Sequence, residues 1–215
     1  YIKTLMQRNS LLKDLIRHSE LYDTLDIWDD RLSVLGGRIV RQRVLYIRNL
    51  DPYLKKIYDG ISSSREEITA EYQSSFGSGS DDEAENASAL RKNLYDTREE
   101  DIKNGTTGSG PHRDDIAISL SGLNTRIYAS QGQKRSCAVA LKLSEAELTG
   151  CMTGTPPVIL LDDVMSELDP LRRDYILNHI ENRQVFLTCC EPEEILAKTS
   201  AEVFRMKEGK ICTFI

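Results

Sequence analysis

Apolar side chains in the first half of the chain recur with the spacing of amphipathic helices. A first run predicts a helix from Tyr1 to about Lys13. A second run predicts a long helix from Leu21 to Asn49, which should end before Pro52 because the residue that precedes a proline avoids helical geometry. Within it, Gly36–Gly37 should weaken or bend the helix, since glycine has a low helix propensity. The apolar residues of the first run are Leu5, Leu11, Leu12, Leu15 and Ile16.

Two further helices are predicted before residue 105. Ser64-Arg65-Glu66-Glu67 has the S-x-x-E form of a capping box, which indicates a helix start. A last helix should run from about Asn86 to Asn104. Between them, residues 77–86 are rich in glycine and serine and then acidic, which predicts an exposed loop. Residues 1–104 are therefore expected to form a helical lobe.

From residue 105 onward, short apolar strands alternate with helices. A strand at Ile116–Leu120 and a turn at Ser121-Gly122 predict a hairpin that returns along Thr125–Tyr128. The apolar run Val158–Leu161 and the segment Gln184–Thr188, which contains the apolar residues Val185–Leu187, predict buried strands of a parallel sheet joined by a crossover helix. The remaining predicted elements are helices at Ser130–Leu148, Pro170–Asn182 and Glu193–Lys198 and a closing hairpin at Glu202–Phe214. The expected fold class is α/β with a helical lobe.

The composition is that of a globular protein, with 40% hydrophobic and 29% charged residues. No apolar run approaches the roughly 18 residues needed to cross a bilayer, which argues against a membrane protein. No secretion signal is visible, which favours a cytoplasmic protein. The net charge of −6 argues against a generally basic surface and is compatible with a local basic stripe. The five cysteines lack the spacing of a zinc site and are expected to be reduced core thiols.

Two adjacent aspartates, Asp162 and Asp163, follow the predicted strand Val158–Leu161. This position is the carboxyl edge of a parallel sheet, where α/β proteins bind ligands. In a nucleotide hydrolase, the first such carboxylate holds Mg²⁺ and the second polarises the attacking water. Alternatively, the aspartates simply cap the turn that follows a buried strand. The pattern by itself leaves both interpretations open.

A second candidate site is the helix start Ser130-Gln131-Gly132-Gln133. Ser130 and Gln133 satisfy the capping-box pattern, so a well-capped helix is one interpretation. The other is that the helix N-terminus, with a glycine that permits close approach, offers its amides to a phosphate. Again the segment alone favours neither.

The order of these features favours the functional interpretations. The helix start at Ser130 is followed about 30 residues later by the paired aspartates and then by Ser166-Glu167-Leu168-Asp169, an order typical of ABC-type ATPases. Together with Gly110-Pro111-His112-Arg113-Asp114-Asp115, these segments resemble the RecF family of bacterial recombination-repair ATPases. The similarity is strongest over about residues 105–190, and Gln7-Arg8-Asn9 also resembles the family.

The resemblance implies that residues 105–215 form the C-terminal part of an ABC-type ATPase domain. Asp162 would be the magnesium-associated carboxylate of its Walker B strand, and Asp163 would be the catalytic base. Thr188 stands where ABC relatives often carry a histidine, so a γ-phosphate-sensing imidazole cannot be assigned.

The resemblance also implies residues that face a second subunit. Ser130, Gly132 and Gln133 would form the signature motif, which contacts the γ-phosphate of ATP held by the partner. The segment from Ser166 to Asp169 would be the D-loop, which crosses the dimer interface beside the nucleotide.

The phosphate-binding pattern G-x-x-x-x-G-K-[ST] does not occur in the sequence. In the RecF family this loop belongs to the N-terminal part, so the chain, which opens at Tyr1 inside a predicted helix, is expected to be a C-terminal portion. ATP and Mg²⁺ are accordingly expected as cofactors of the full-length protein. None is expected to be bound by this fragment alone, and little or no ATP turnover is expected from it.

Candidate DNA contacts come from a stretch that contains no acidic residue, residues 31–50. Its arginines could neutralise phosphates, or they could form a solvated helix face paired with acidic residues of neighbouring helices. Arg113 is a further candidate, although Asp114 or Asp115 could simply hold it in place. The arginines of the stretch are Arg31, Arg38, Arg41, Arg43 and Arg48.

The function implied by the resemblance is an ATP-dependent dimeric DNA clamp. It would bind single-strand/double-strand junctions and cooperate with RecR and RecO in loading RecA. An SMC- or Rad50-type ATPase head is an alternative, disfavoured because the helical half is too short and lacks the sustained heptads of their long coiled coils. A non-catalytic module that binds DNA or protein is a third hypothesis.

Overall fold

The structure is a computed structural model that describes residues 1–190 and 192–214. The chain forms two compact units. The first combines Tyr1–Pro52 with Thr69–Thr125, and the second combines Tyr53–Ile68 with the chain from Arg126 onward. The predicted boundary between residues 104 and 105 stays a prediction. No helix within the described ranges is long and apolar enough to cross a membrane.

The first unit is built mainly from helices. Their apolar faces meet in two clusters, one around Leu32 and Leu90 and the other around Leu12 and Leu25, all fully buried. Sequestering such side chains from water is the main stabilising contribution to a core of this kind. The helices are α1 (Ile2–Asp14), α2 (Leu25–Ser62, of which the part from Tyr53 onward belongs to the second unit), α3 (Glu83–Asp96) and α4 (Arg98–Asn104), with a 3-10 turn at Ser19–Thr24.

Helix α2 continues through Pro52, so the predicted end before this proline is wrong. A proline inside a helix removes one backbone hydrogen bond. Burial of apolar side chains on both sides of the proline opposes this cost, since Leu50 and Leu54 are 2% and 0% exposed. Tertiary packing thus overrides the local signal.

The pair Gly36–Gly37 lies within the continuous helix α2 and allows another helix to approach closely. A Cβ atom added at Gly37 would lie 2.6 Å from the carbonyl oxygen of Glu83 and 2.8 Å from the amide nitrogen of Ala87. Both of these atoms belong to α3. The glycines therefore serve contact between α2 and α3.

The capping-box pattern at Ser64–Glu67 does not start a helix, contrary to the prediction. Strand β1 (Ile68–Gln73) follows it instead. β1 pairs with β2 (Asp115–Leu120), which pairs antiparallel with the two-residue strand β3 (Leu123–Asn124). The predicted turn at Ser121-Gly122 is confirmed, but the predicted return strand is helical from α5 (Thr125–Tyr128).

The segment predicted as an exposed loop is anchored by a buried asparagine. The side-chain oxygen of Asn86 accepts hydrogen bonds from Ser78 Oγ at 2.8 Å and from Ser80 N at 3.0 Å, and its Nδ2 donates to Ser80 O at 2.7 Å. Asp82 caps α3. The predicted helix over residues 86–104 is divided at Thr97 into α3 and α4.

The second unit contains the alternating elements predicted for a parallel α/β fold. Strands β4 (Ile159–Asp162) and β5 (Val185–Thr188) are parallel neighbours, and α7 (Pro170–Ile180) is the crossover between them. The predicted fold class is confirmed. The other elements are α6 (Gln131–Thr153), a 3-10 turn at Met165–Glu167, α8 (Glu193–Leu196), and the hairpin of β6 (Phe204–Lys207) and β7 (Lys210–Phe214).

Strand β4 is buried on one face only, so the prediction of a fully buried strand is wrong. Leu161 is 6% exposed, whereas Leu160 is 73% exposed and its partner in register, Phe186, is 58% exposed. Because successive strand residues point to opposite faces, these values describe a sheet with one face in the core and one face open in this chain.

Candidate nucleotide-binding site

The two aspartates lie at the carboxyl edge of the parallel sheet, as predicted from their position after the apolar run Val158–Leu161, and Asp162 is the last residue of β4. In the register of the two strands, Asp162 stands opposite Thr188, the last residue of β5. Thr188 Oγ1 donates a hydrogen bond to Asp162 Oδ1 at 2.6 Å and accepts one from the backbone nitrogen of Asp163 at 3.0 Å. One hydroxyl group thus orients the first carboxylate and fixes the backbone of the second aspartate.

The chain turns sharply at Asp163. Its φ of 49° lies in the left-handed region, which aspartate tolerates better than most residues. Its carbonyl oxygen accepts a hydrogen bond from Ser166 Oγ at 3.0 Å. The residue is therefore held from both sides, by Thr188 and by Ser166, while its side chain stays exposed. The turn directs the chain from the sheet edge into the predicted D-loop.

Ser130 caps helix α6, as the sequence predicted. Its Oγ accepts a hydrogen bond from Gln133 N at 3.2 Å, and Gln133 Oε1 accepts one from Ser130 N at 2.7 Å. The first intrahelical bond of α6 runs from Lys134 N to Ser130 O at 2.9 Å. The amides of Gln131 and Gly132 precede it, and such amides of a first helical turn have no intrahelical acceptor. This tip has the chemistry of an anion-binding helix N-terminus.

The side chain of Gln133 is used within the chain at both of its polar ends. Its oxygen closes the capping box, and its Nε2 donates to Glu66 Oε1. The other oxygen of Glu66 accepts a hydrogen bond from the buried Tyr58 hydroxyl at 2.8 Å. In this arrangement Gln133 shapes the helix tip, and Ser130 and the free amides are the groups left to meet a ligand.

Glu66 was missed by the sequence analysis because its only signal was interpreted as a helix cap. Burial, and then the hydrogen bond to Glu66, raises the pKa of Tyr58 well above its usual range. Tyr58 therefore remains a neutral donor to Glu66 at ordinary pH. A chain of hydrogen bonds thus runs from Tyr58 in α2 to the backbone of Ser130.

The predicted D-loop contacts both features of the site. Ser166 bonds to the carbonyl of Asp163, and Asp169 is the N-cap of α7. Arg172, three residues further, donates to Gly132 O at 3.3 Å. The segment from Ser166 to Arg172 therefore joins the aspartate pair to the start of α6 within the second unit.

The predicted DNA-contacting arginines of α2 are paired with the acidic segment that follows residue 80. Arg48 Nη1 lies 2.8 Å from Asp81 Oδ2, Arg41 Nε donates to Asp81 O at 3.1 Å, and Arg38 Nε lies 3.3 Å from Glu83 Oε1. Arg48 holds the pKa of Asp81 below its ordinary value. The alternative of a solvated helix face paired with acidic neighbours describes this geometry.

The segment 110–115 uses its histidine and one aspartate to hold the fold. His112 Nδ1 accepts a hydrogen bond from Tyr1 Oη at 2.8 Å, its Nε2 donates to Thr107 O at 3.1 Å, and burial lowers its pKa. Asp114 accepts hydrogen bonds from the amide and hydroxyl of Ser75 and from the Tyr72 hydroxyl, so it ties the segment to β1 and the residues that follow it. Arg113 itself is exposed.

No group of three or more His, Cys, Asp or Glu side chains forms a metal-binding cluster in the part of the chain that the structure describes. A Mg²⁺ ion bound mainly through nucleotide phosphates needs only one or two protein carboxylates. The exposed Asp162 at the sheet edge fits that requirement.

Comparison with known proteins gives related sequences and structures for this chain, whereas no family model matches it. It is 39% identical to the DNA replication and repair protein RecF of Heliobacterium modesticaldum and 37% identical to that of Agathobacter rectalis, in each case over 98% of this chain. It spans only 58% and 56% of the lengths of these relatives.

Comparison with solved structures also gives RecF proteins. A structure of the recombination mediator protein RecF-ATP in the RecFOR pathway matches the whole of this chain with a TM-score of 0.84 at 37% identity, and 56% of that protein is covered. A second structure, of the recombination mediator protein RecF-ATPrS, matches 98% of this chain with the same TM-score of 0.84 at 38% identity. The predicted resemblance to the RecF family is therefore confirmed, and it extends over nearly the whole of this chain.

Proposed function

We propose that this chain is the C-terminal part of a RecF-type, ATP-dependent DNA clamp. In the full-length protein it would act at single-strand gaps and help to load RecA together with RecO and RecR. The observation that carries the proposal is that Thr188 orients the aspartate pair and that the segment from Ser166 to Arg172 joins this pair to the start of α6, since the aspartates and the start of α6 are the residues that act on ATP in the motif assignment. The similarity to RecF structures named for ATP supports it.

In this proposal the aspartate pair divides two tasks. Asp162, oriented by the Thr188 hydroxyl, receives the magnesium ion or one of its waters. The bound ion neutralises charge that develops on the phosphates during transfer. Asp163 orients a water molecule and accepts its proton. The hydrogen bond from the backbone nitrogen of Asp163 to Thr188 fixes the backbone position from which this carboxylate extends. Both side chains are exposed at the sheet edge, where a nucleotide can reach them.

The signature tip acts on the nucleotide of a second subunit. The N-terminus of a helix carries roughly half a positive charge, and the amides of Gln131 and Gly132 extend it as hydrogen-bond donors. Ser130 can also donate its hydroxyl proton, because its Oγ acts as an acceptor in the cap and the O–H group is a separate donor. Such a tip suits a γ-phosphate brought by another chain.

ATP would therefore stabilise the closed dimer through contacts that exist only when the two subunits meet. A ligand shifts an equilibrium only by its differential affinity for the two states. The γ-phosphate supplies that difference, because the signature tip of one subunit binds the nucleotide of the other. Hydrolysis removes the contact and lets the clamp open.

The test is a charge-removing substitution in the full-length protein. Asp163→Asn keeps the shape of the side chain and removes the base, so DNA-stimulated ATP turnover should fall by a factor of about 100 or more while ATP-dependent dimerisation persists. Asp59→Asn, at an exposed position of the same unit, serves as the matched control. Unchanged turnover in Asp163→Asn would overturn the assignment of Asp163 as the catalytic base. DNA binding with the same affinity in the presence and absence of ATP would favour the non-catalytic module.

A further inference from the structure

Arg172 occupies an unusual place for a basic residue. It lies in the first turn of α7, where the positive end of the helix dipole disfavours a cation. Asp169, the N-cap of the same helix, offsets this cost. Asp169 Oδ1 accepts from the Arg172 backbone nitrogen at 3.1 Å, and its Oδ2 lies 3.0 Å from Arg172 Nε. The last residue of the predicted D-loop thus fixes the direction of the guanidinium.

The far end of the same guanidinium reaches the signature helix. Arg172 Nη1 donates to Gly132 O at 3.3 Å and to Ser136 Oγ at 3.0 Å. Ser136 is 1% exposed, and its hydroxyl donates in turn to Gly132 O at 2.8 Å. A Cβ atom at position 132 would lie 3.4 Å from Arg172 Nη1, so a glycine there leaves room for the arginine.

The packing of α6 against α7 does not depend on this contact alone. At the other end of α7, Arg183 Nη2 lies 2.6 Å and His179 Nε2 lies 3.1 Å from Glu147 Oε1 of α6. Those groups already join the two helices far from the helix tips. Arg172 joins the two helices at their N-terminal ends, next to the signature motif and the D-loop. There the relative position of these two segments determines how they can contact a nucleotide.

We propose that Arg172 is a positioning residue that holds the D-loop and the signature tip together as one rigid element. The inference rests on the proposed function and deepens it. Both segments are assigned to contacts with the nucleotide of the second subunit. Joined by Arg172, they approach that nucleotide in a fixed geometry, and the closed dimer does not have to order them separately.

The experiment compares variants of the full-length protein for ATP binding, ATP-dependent dimerisation and turnover. Arg172→Ala should leave ATP binding by the monomer within about twofold of wild type and lower kcat by a factor of about ten or more, since small misplacement of positioned groups is costly. It should also raise the ATP concentration needed for dimerisation. Arg172→Lys, which keeps the charge and loses the planar fork, should recover part of both effects.

Arg183→Ala provides the control for general loosening, because it breaks the Glu147 pair at the far end of the same helices. It should lower thermal stability and leave the ATP concentration for dimerisation unchanged. Equal effects of Arg172→Ala and Arg183→Ala on dimerisation would overturn the proposal, as would wild-type dimerisation and turnover in Arg172→Lys and Arg172→Ala. Failure of the wild-type protein to dimerise with ATP would overturn the proposed function as well, which separates the two results.

Discussion

Thr188 donates a hydrogen bond of 2.6 Å to Asp162 across the carboxyl edge of β4 and β5. The two residues are 26 positions apart in sequence and are brought together by the parallel register of the strands. The same hydroxyl accepts from the amide of Asp163. A short β-branched hydroxyl residue can do both because its oxygen is a donor and an acceptor at once.

Replacement of Thr188 by valine should reduce ATP turnover of the full-length protein by a factor of about ten to 100, since it removes an orienting bond while keeping the volume of the side chain. The Michaelis constant should change less than kcat, because Asp162 and Asp163 remain present. Steady-state kinetics measure both. Thr188→Ser should retain most of the activity.

Thr149→Val is the matched control for this change, since Thr149 is exposed in α6 of the same unit. It should leave kcat unchanged. A Thr188→Val protein with wild-type kcat would show that the hydroxyl has no part in orienting the aspartates.

Local signals in the sequence predicted those parts of the site that neighbouring residues create. Ser130 and Gln133 form the expected capping box because each needs only a partner three residues away. The same pattern failed at Ser64–Glu67, where the following residues pair in a sheet and Ser64 takes a φ of 57°. The pairing of β1 with β2, which a local pattern does not contain, explains why no helix begins at Ser64.

The long-range contacts that join the parts of the site could not be predicted from local sequence patterns. Glu66 meets Gln133 across 67 positions, and Arg172 meets Gly132 across 40. Contacts between residues so far apart depend on the topology of the fold, which cannot be inferred from the local patterns of a single sequence. The aspartate pair was predicted because its position follows from a strand end, whereas the role of Thr188 required the register of two strands.

The buried ion-pair network of the first unit should be sensitive to the loss of one partner, because a buried charge left without its counter-charge is costly. Arg8 is 0% exposed and lies 2.7 Å from both Asp29 and Asp101. Arg8→Met should lower the free energy of unfolding by about 3–5 kcal/mol, because it removes the arginine that pairs with the buried carboxylate of Asp101, whereas Asp29 keeps its pairing with Arg98. Urea unfolding monitored by circular dichroism measures this loss. Arg17→Met, at an exposed position, should change the same free energy by less than about 0.5 kcal/mol.

Glu66 should stabilise both α2 and the start of α6. Glu66→Ala removes the acceptor of the buried Tyr58 hydroxyl, so the free energy of unfolding should fall by about 1–3 kcal/mol. Hydrogen exchange at the amides of Ser130 and Gln133 should also become faster, since the side chain of Gln133 loses its second anchor. The exposed neighbour Glu67→Ala is the control. Unchanged exchange at Ser130 would contradict a link between Tyr58 and the helix tip.

Alkaline pH should destabilise the fold through its buried tyrosines. Burial is the largest cause that raises the pKa of Tyr1, Tyr58 and Tyr72 above the ordinary value. A group whose pKa is raised in the folded state favours folding below its unfolded pKa, which is about 10 for tyrosine, and loses that contribution as pH rises above it. These tyrosines should therefore ionise only as the protein unfolds. During alkaline titration, the rise in tyrosinate absorbance due to them should coincide with the loss of the circular dichroism signal of the fold. Tyr58→Phe should reduce the absorbance step that accompanies unfolding.

DNA binding by the full-length protein should depend more on Arg113 than on Arg48. The guanidinium of Arg48 is already paired with Asp81 at 2.8 Å, so a phosphate must displace a carboxylate to reach it, whereas Arg113 is exposed. If Arg113 contacts a phosphate, Arg113→Ala should weaken binding to gapped DNA and reduce the slope of log K against log salt by about 1. Arg48→Ala should change that slope less. Fluorescence anisotropy at several salt concentrations measures both slopes, and the reverse order of effects would assign the phosphate contact to the α2 arginines, with the Asp81 segment displaced on binding.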